Sequence, residues 1–329
     1  MKFLELSNGA RMPVVGFGTW QSTDEVLERA LEAALQAGYR HIDTAYLYNN
    51  EEAIGRVLRR WLDAGRVRRE DLFVVTKLPM IGYQKEKVEK YLRRSLEALQ
   101  LSHVDLYLLH QAWGMQERGE DRLPMDETGE LLLDHSTDHV SLWKGMEEQV
   151  EAGRARAIGL SNFNSRQIKR IVESARVQPA CLQVEVYLYF QQRELVAFCK
   201  ALDIAVCAYG PLGSPSMIQA FSSMGGDTDK IPRVDPLHDP TVLHIARKHS
   251  KTPAQVLLRH TVQRGIAVIP KSSDATRIRE NLQVLDFLLD EDDVEKLDSL
   301  DRGSKYRLFS GNINKGMDRH PEYAYNEPY

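Results

Sequence analysis

The sequence predicts an α/β protein, a single (β/α)8 TIM barrel with an N-terminal β-hairpin, long rim loops and a C-terminal tail. Three observations predict it: eight short apolar runs of strand length, an amphipathic stretch of helical period after nearly every one, and no break in composition between them. Parallel strands require helical crossovers, and closing the sheet leaves no exposed edge. Such barrels occupy ~250 residues plus insertions as one unit, so residues 1–329 are read as one domain.

A hairpin around Ser7, Asn8 and Gly9 opens the chain. The expected strands are Val14–Phe17, His41–Asp43, Phe73–Thr76, Val104–Leu109, Ala157–Leu160, Leu182–Val184, Ala205–Ala208 and Ala267–Ile269. After the first, Leu27, Leu31, Ala34 and Leu35 make a helical stripe, with Asp24 near its start and Gly38 placed as its C-cap. The device repeats with Ile54, Val57, Leu58, Trp61 and Leu62, then with Val88, Leu92, Leu96 and Leu99. Further stripes run through Val140, Trp143, Met146 and Val150, closed by Gly153, and through Ile168, Ile171, Val172 and Ala175. Three segments exceed ordinary loop length: Gln111–His139, Gly210–Pro240 and the tail from Arg302. Two of them follow strands, at the rim where barrel sites sit, which makes them candidates for substrate and cofactor recognition.

A formal net charge of -4 and the lack of any long basic run argue against a nucleic-acid surface and leave a small-molecule partner as the expectation. The opening MKFLELSNG carries no apolar stretch of signal-peptide length, and no segment approaches ~18 uninterrupted apolar residues, so a cytoplasmic protein without a membrane partner is expected. A monomer is the default. Cys181, Cys199 and Cys207 are an odd set without metal-ligand spacing inside apolar runs, where cysteine behaves as a small hydrophobe, so no metal site is expected.

The chemistry gathers at strand ends. Asp43 closes one strand, Lys77 and His110 follow the next two, and Tyr48 stands five residues beyond Asp43. Singly each has an ordinary reading: a packing tyrosine, whether Tyr46 or Tyr48, a solvated lysine, a satisfied core histidine. Jointly they fall at the same end of three consecutive strands. A tyrosine with a pKa of ~10 donates a proton poorly unless its phenolate is favoured by a nearby cation, and Lys77 is placed to be that cation. Asp43 would keep the ammonium charged, and the His110 imidazole would orient a substrate oxygen. The expected chemistry is protonation of an oxygen that gains negative charge, as in carbonyl reduction.

The hydride source lies elsewhere. No G-x-G-x-x-G occurs; after Gly16 and Gly18, Gln21 stands where the third glycine should be, which disfavours a Rossmann domain. Downstream, IPKSSDATRIREN places Lys271, Ser272 and Arg277 after the last strand and at a helix start, a suitable phosphate site. Tyr209, ending AVCAY before GPLGS, offers a stacking surface for a flat ring.

These residues resemble the aldo-keto reductases. The match runs from about Leu6 to the terminal HPEY through NGARMPVVGFGTW, GYRHIDTAYLYNNEEAIG, VTKLP, LLH, GLSNFN, LQVE, AYGPLGS and IPKS. The resemblance implies an NADP(H)-dependent reductase of the animal branch, most like its arthropod members, binding NADPH across the C-terminal rim. It implies Tyr48 as general acid, Lys77 and Asp43 as its tuning pair, and His110 as substrate orienter. By the same matching Ser161, Asn162 and Gln183 would hold the carboxamide, Tyr209 would stack on the nicotinamide, and Thr19, Trp20, Leu212 and Ser214 join the cofactor set. Lys271, Ser272, Arg277 and Asn281 would bind the 2′-phosphate end, with Glu280 on the adenine. Expected substrates are aldehydes, aldoses and ecdysteroid-like ketones.

Several positions depart from the commoner animal pattern. After His110 the chain reads HQAW, which makes Trp113 the candidate pocket aromatic, beside Trp20, Tyr48, His110 and the tail residue Phe309. Pro79 stands where some relatives have a pocket tryptophan. Ser216 and Gln21 replace an aspartate and a lysine that latch a loop over the pyrophosphate, so faster cofactor release is expected. Two other readings compete: a cofactor-binding structural or sensing protein of the same fold, and a barrel aldolase with Lys77 as Schiff-base nucleophile, which IPKS and the tyrosine-histidine pair disfavour.

Overall fold

The computed structural model describes residues 2–223, 228–229, 231–309, 315–327 and 329. Eight strands carry the barrel: β1 (Gly16–Gly18), β2 (His41–Asp43), β3 (Phe73–Leu78), β4 (Val104–Leu109), β5 (Ala155–Ser161), β6 (Cys181–Glu185), β7 (Ala205–Tyr209) and β8 (Ala267–Val268). Each pairs in parallel with its neighbour in chain order. The ring closes through a parallel bridge between Val15 and Val268, with the Val268 amide donating to the Val14 carbonyl at 2.8 Å. The eight expected strands are therefore present. The first starts two residues later and ends one later than expected, because Val14 and Val15 spend their backbone on closure and on the hairpin rather than on β2.

Around the barrel lie α1 (Asp24–Ala37), α2 (Glu51–Asp63), α3 (Val88–Leu99), α4 (His139–Glu151), α5 (Ser165–Ser174) and α6 (Arg193–Ala201). The long segment after β7 holds its own helix, α7 (Met217–Ser223), before α8 (Pro240–His249) and α9 (Pro253–Gln263); α10 (Ala275–Leu282) and α11 (Glu291–Asp298) follow β8. The stripes read from periodicity are the buried faces: Leu27, Leu31, Ala34 and Leu35 of α1, Ile54, Val57, Leu58 and Trp61 of α2, Val88, Leu92, Leu96 and Leu99 of α3. Gly38 ends α1 at φ 107°, where a side chain would be strained, and its amide caps the Ala34 and Leu35 carbonyls.

Strand parity divides the core in two. Phe73, Val75, Leu106, Leu108, Ala157, Cys181, Cys207 and Ala267 pack inside the barrel, while Val74, Leu78, Tyr107, Leu109, Leu182 and Val184 face the helices. Leu6 and Met12 of the antiparallel hairpin, Phe3–Glu5 with Arg11–Pro13, join the inner cluster. The cysteines are buried and free. Gly159 lets β5 approach β6: a Cβ there would meet the Cys181 carbonyl oxygen at 2.4 Å. The segment from Gln111 carries a small antiparallel pairing, Gly114–Met115 with Leu133–Asp134, and meets the tail through an Arg319–Glu130 ion pair at 2.8 Å. Among the described residues no helix is long and apolar enough to cross a membrane.

Candidate active site

The period of two that fills the barrel also aims its polar residues. Continuing the inward series of β3 (Phe73, Val75) reaches Lys77; that of β4 (Leu106, Leu108) reaches His110 just past the strand; Asp43 ends β2 with the same parity as His41. All three are buried, and they share the rim at the strands' C-terminal ends. Tyr48, half-buried, comes in from the single-turn helix Tyr46–Tyr48.

The Lys77 ammonium donates to Asp43 Oδ1 at 2.7 Å, to the Thr44 carbonyl at 2.9 Å and to the Tyr48 hydroxyl at 3.4 Å. The Tyr48 and His110 rings meet edge to face at 5.6 Å. Tyr46, the other candidate, turns away: its ring packs on Tyr91, and its hydroxyl accepts from Arg94 at 3.3 Å. Gln183 Nε2 donates to Asp43 Oδ2 at 2.7 Å, so both carboxylate oxygens are engaged.

Burial governs the titration of the group. It pushes the Tyr48 hydroxyl above its ordinary value, with the Lys77 ammonium pulling the other way and Asp43 adding to the rise. This corrects the expectation of a lowered tyrosine: desolvation outweighs the cation. The Lys77 ammonium is held above the usual lysine range because Asp43 and Tyr48 overcome the burial that works against its charge. His110 is held well below its ordinary value by burial and by Lys77, so its ring is neutral. Its Nδ1 is buried with no hydrogen-bond partner among the described residues.

A second arc of residues follows β5 to β7. Ser161 and Tyr209 end inward-facing series, Gln183 lies within that of β6, and Asn162 sits just past β5 at φ 63°. Asn162 Nδ2 donates to the His110 carbonyl at 2.9 Å and to Ser161 Oγ at 3.1 Å; its Oδ1 accepts from the hydroxyls of Tyr209 at 2.7 Å and Tyr325 at 3.1 Å. The Asn162 amide is thus fully engaged. Thr19 is buried, with its hydroxyl donating to the Asp43 carbonyl at 2.9 Å. Leu212 and Ser214 lie half-buried in the turn after Tyr209.

At the far end, Lys271 and Arg277 are exposed beside the start of α10, and neither makes an ion pair among the described residues. Burial and the Arg277 charge both depress Lys271. Two cations that repel each other at a helix N-terminus, with the buried Ser272 hydroxyl between them in sequence, suit a phosphate. Asn281 is buried and Glu280 half-buried on the same helix, one turn past Arg277. The donor set therefore fits the phosphate end of a nicotinamide dinucleotide.

Trp20 and Phe309 meet at the barrel mouth at 5.6 Å, and Phe221 of α7 touches both, at 5.7 and 5.8 Å. Phe309 also stands perpendicular to Tyr209 at 5.2 Å. Trp113 is only 2% exposed, packed in the cluster between barrel and helices, and its Nε1 has no partner among the described residues. Gln21, at φ 59°, has a buried Nε2 without a partner among the described residues, while Ser216 is exposed. An open hollow of about 680 Å3 lined by Arg193, His260, Arg264 and Asp298 lies among α6, α9 and α11 and includes none of these residues.

Sequence reasoning missed Glu185, Phe221 and Tyr325. Parity was available for Glu185, two positions beyond Gln183; nothing local marks the other two, which reach the mouth from a rim helix and the tail.

The aldo/keto reductase family model matches residues 14–302. Aldo-keto reductase family 1 member A1 of Gallus gallus is 41% identical over 332 residues, covering 99% of this chain and 98% of the relative. Family 1 member C18 of Rattus norvegicus is 40% identical over 331 residues, with the same shares covered. The solved aldose reductase of Schistosoma japonicum superposes with a TM-score of 0.89 at 39% identity over 100% of both chains. Fold, strand-end chemistry and relatives agree: the chain is an oxidoreductase of the aldo/keto reductase family, a family that acts on carbonyl groups with nicotinamide cofactors.

Proposed function

We propose that this enzyme reduces aldehydes and ketones to alcohols with NADPH, Tyr48 being the general acid. The observation that carries the reading is the Lys77 ammonium, bonded to Asp43 at 2.7 Å and aimed at the Tyr48 hydroxyl at 3.4 Å. Because lysine only donates, the Tyr48 oxygen is the acceptor in that contact and its own hydrogen is left to point at a substrate oxygen. Burial keeps Tyr48 protonated until the substrate oxygen gains negative charge, and Lys77 then stabilises the phenolate that remains. The neutral His110 ring has a buried Nδ1 with no acceptor among the described residues, which favours the tautomer carrying hydrogen on Nε2, the arrangement that donates to a carbonyl oxygen.

A bound nicotinamide dinucleotide would supply the hydride. Lys271, Ser272, Arg277 and Asn281 would hold its 2′-phosphate end and favour NADPH over NADH, with Glu280 on the adenine. Ser161, Asn162 and Gln183 would take the carboxamide and Tyr209 the ring face. Since Asn162 Oδ1 already accepts twice, one tyrosine hydroxyl leaves when the carboxamide arrives. Without an ion pair between Gln21 and Ser216 to close the loop, release of the cofactor is fast. Trp20, Tyr48, His110, Phe309 and Trp113 would line the substrate pocket, Trp113 after a shift out of its packed position.

The test is loss of nicotinamide absorbance when purified protein, NADPH and an aromatic aldehyde are mixed, repeated with aldoses and ketosteroids and with NADH in place of NADPH. Tight NADPH binding with no turnover on any carbonyl would instead favour the cofactor-binding structural or sensing role.

A further inference from the structure

Glu185 ends β6 inside the barrel rim and is only 1% exposed. Its carboxylate accepts two backbone amides of the tail, Leu308 N–H on Oε1 at 2.8 Å and Phe309 N–H on Oε2 at 3.0 Å. No lysine, arginine or histidine lies within ion-pairing distance of it among the described residues, although the Arg307 charge acts from farther off. Burial pushes the carboxyl up to about 7 against the pull of the two amides. A buried carboxylate without a cation is costly, and an apolar residue would pack there at less expense. What the carboxylate does that an apolar residue could not is satisfy two adjacent tail amides at once.

Those amides belong to the residue that closes the mouth and the one before it. The Phe309 ring contacts Tyr209, Trp20 and Phe221. The rest of this strap is tied to the connection between β6 and α6: the Tyr187 hydroxyl donates to the Tyr306 carbonyl at 2.7 Å, and the Arg302 amide to the Tyr189 carbonyl at 2.9 Å. Among the described residues Glu185 alone, however, is hydrogen-bonded to the backbone of Phe309, so it sets the height and angle at which that ring stands over the rim. We propose that Glu185 is a positioning residue that clamps the Leu308–Phe309 backbone and thereby determines which bulk of carbonyl substrate the mouth admits. The inference rests on the carbonyl-reductase reading for its substrate, but the clamp itself is a property of the chain alone.

The experiment compares Glu185→Leu, Glu185→Gln, Phe309→Ala and Glu185→Leu/Phe309→Ala with the full-length enzyme. Hydrogen exchange is followed at the Leu308 and Phe309 amides, and steady-state kinetics with a bulky and a small aromatic aldehyde. Glu185→Leu is expected to speed exchange at both amides by about tenfold, and Glu185→Gln, which keeps one acceptor, by less. KM for the bulky aldehyde should shift by about fivefold or more in Glu185→Leu while kcat stays within about twofold, and in the Phe309→Ala background the same change should add little. Unchanged exchange in both Glu185 single variants, or KM effects that multiply in full in the double variant, would overturn the clamp. Should Glu185→Leu not fold, Glu185→Gln decides alone by the same exchange readout. Failure of wild-type protein to turn over any aldehyde refutes the carbonyl-reductase reading and with it the substrate role of the clamp, while exchange still decides whether the clamp exists.

Discussion

Lys77 and Asp43 face each other at 2.7 Å inside the barrel, at 1% and 2% exposure, and the same ammonium reaches the Tyr48 hydroxyl at 3.4 Å. One pair thus serves two ends, since it neutralises a charge the barrel could not otherwise bury and sets the field felt by the phenol.

Removing one partner leaves an uncompensated buried charge. Asp43→Asn or Lys77→Met alone is expected to lower stability by about 3 kcal/mol in urea unfolding, and the double variant to recover part of that loss. A double variant no more stable than the worse single would show that the pair is not the source of the cost.

Tyr48→Phe removes the proton and keeps the ring. We expect kcat to fall at least about a hundredfold with NADPH affinity, measured by fluorescence titration, changed less than about twofold. Near-normal turnover would remove Tyr48 from the acid role.

The pH profile should carry the signs of the two shifts. His110, depressed by burial and Lys77, is neutral where an ordinary histidine would be gaining a proton, so kcat/KM for reduction should show no fall as pH decreases through about 6.5. Tyr48, raised by burial, keeps its proton above the ordinary tyrosine value, so the alkaline loss of reduction should begin above pH ~10. An acidic limb near neutrality that vanishes in His110→Gln would contradict this assignment.

Lys271 and Arg277 repel each other, which is the basis for expecting an anion between them. Arg277→Met should weaken NADPH by about tenfold or more and leave NADH within about twofold, since only the former carries the extra phosphate. Equal losses for both cofactors would place Arg277 elsewhere than at the 2′-phosphate.

Gly159 is a packing requirement of the barrel wall. Gly159→Ala drives a Cβ to 2.4 Å from the Cys181 carbonyl oxygen, and β5 and β6 must part to relieve it. A stability loss of about 2 kcal/mol is expected by thermal unfolding, and a neutral substitution would show that the wall yields.

Much of this was legible from the chain. Strand ends, helical stripes and Gly38 were readable because they are local: period, apolar content and a positive φ leave marks within a few residues. Asp43, Lys77 and His110 were readable as a set because β-strand parity carries a side chain's direction along the strand. Trp113 was not readable as buried, nor Glu185 as the holder of a segment over a hundred positions away, because those depend on where rim loops and tail come to rest.

By itself the sequence determined that eight strands alternate with helices, that three of them end in an acid, a base and an imidazole, and that a cationic helix start follows the last. Only the tertiary structure showed which tyrosine stands beside Lys77, since a single helical turn sends the Tyr46 ring to Tyr91 and the Tyr48 hydroxyl to the Lys77 ammonium. It also decided the sense of the Tyr48 shift. The cation's effect could be anticipated from residue types, but desolvation depends on how completely the barrel and its closing loops remove water, and that is a property of the packed whole.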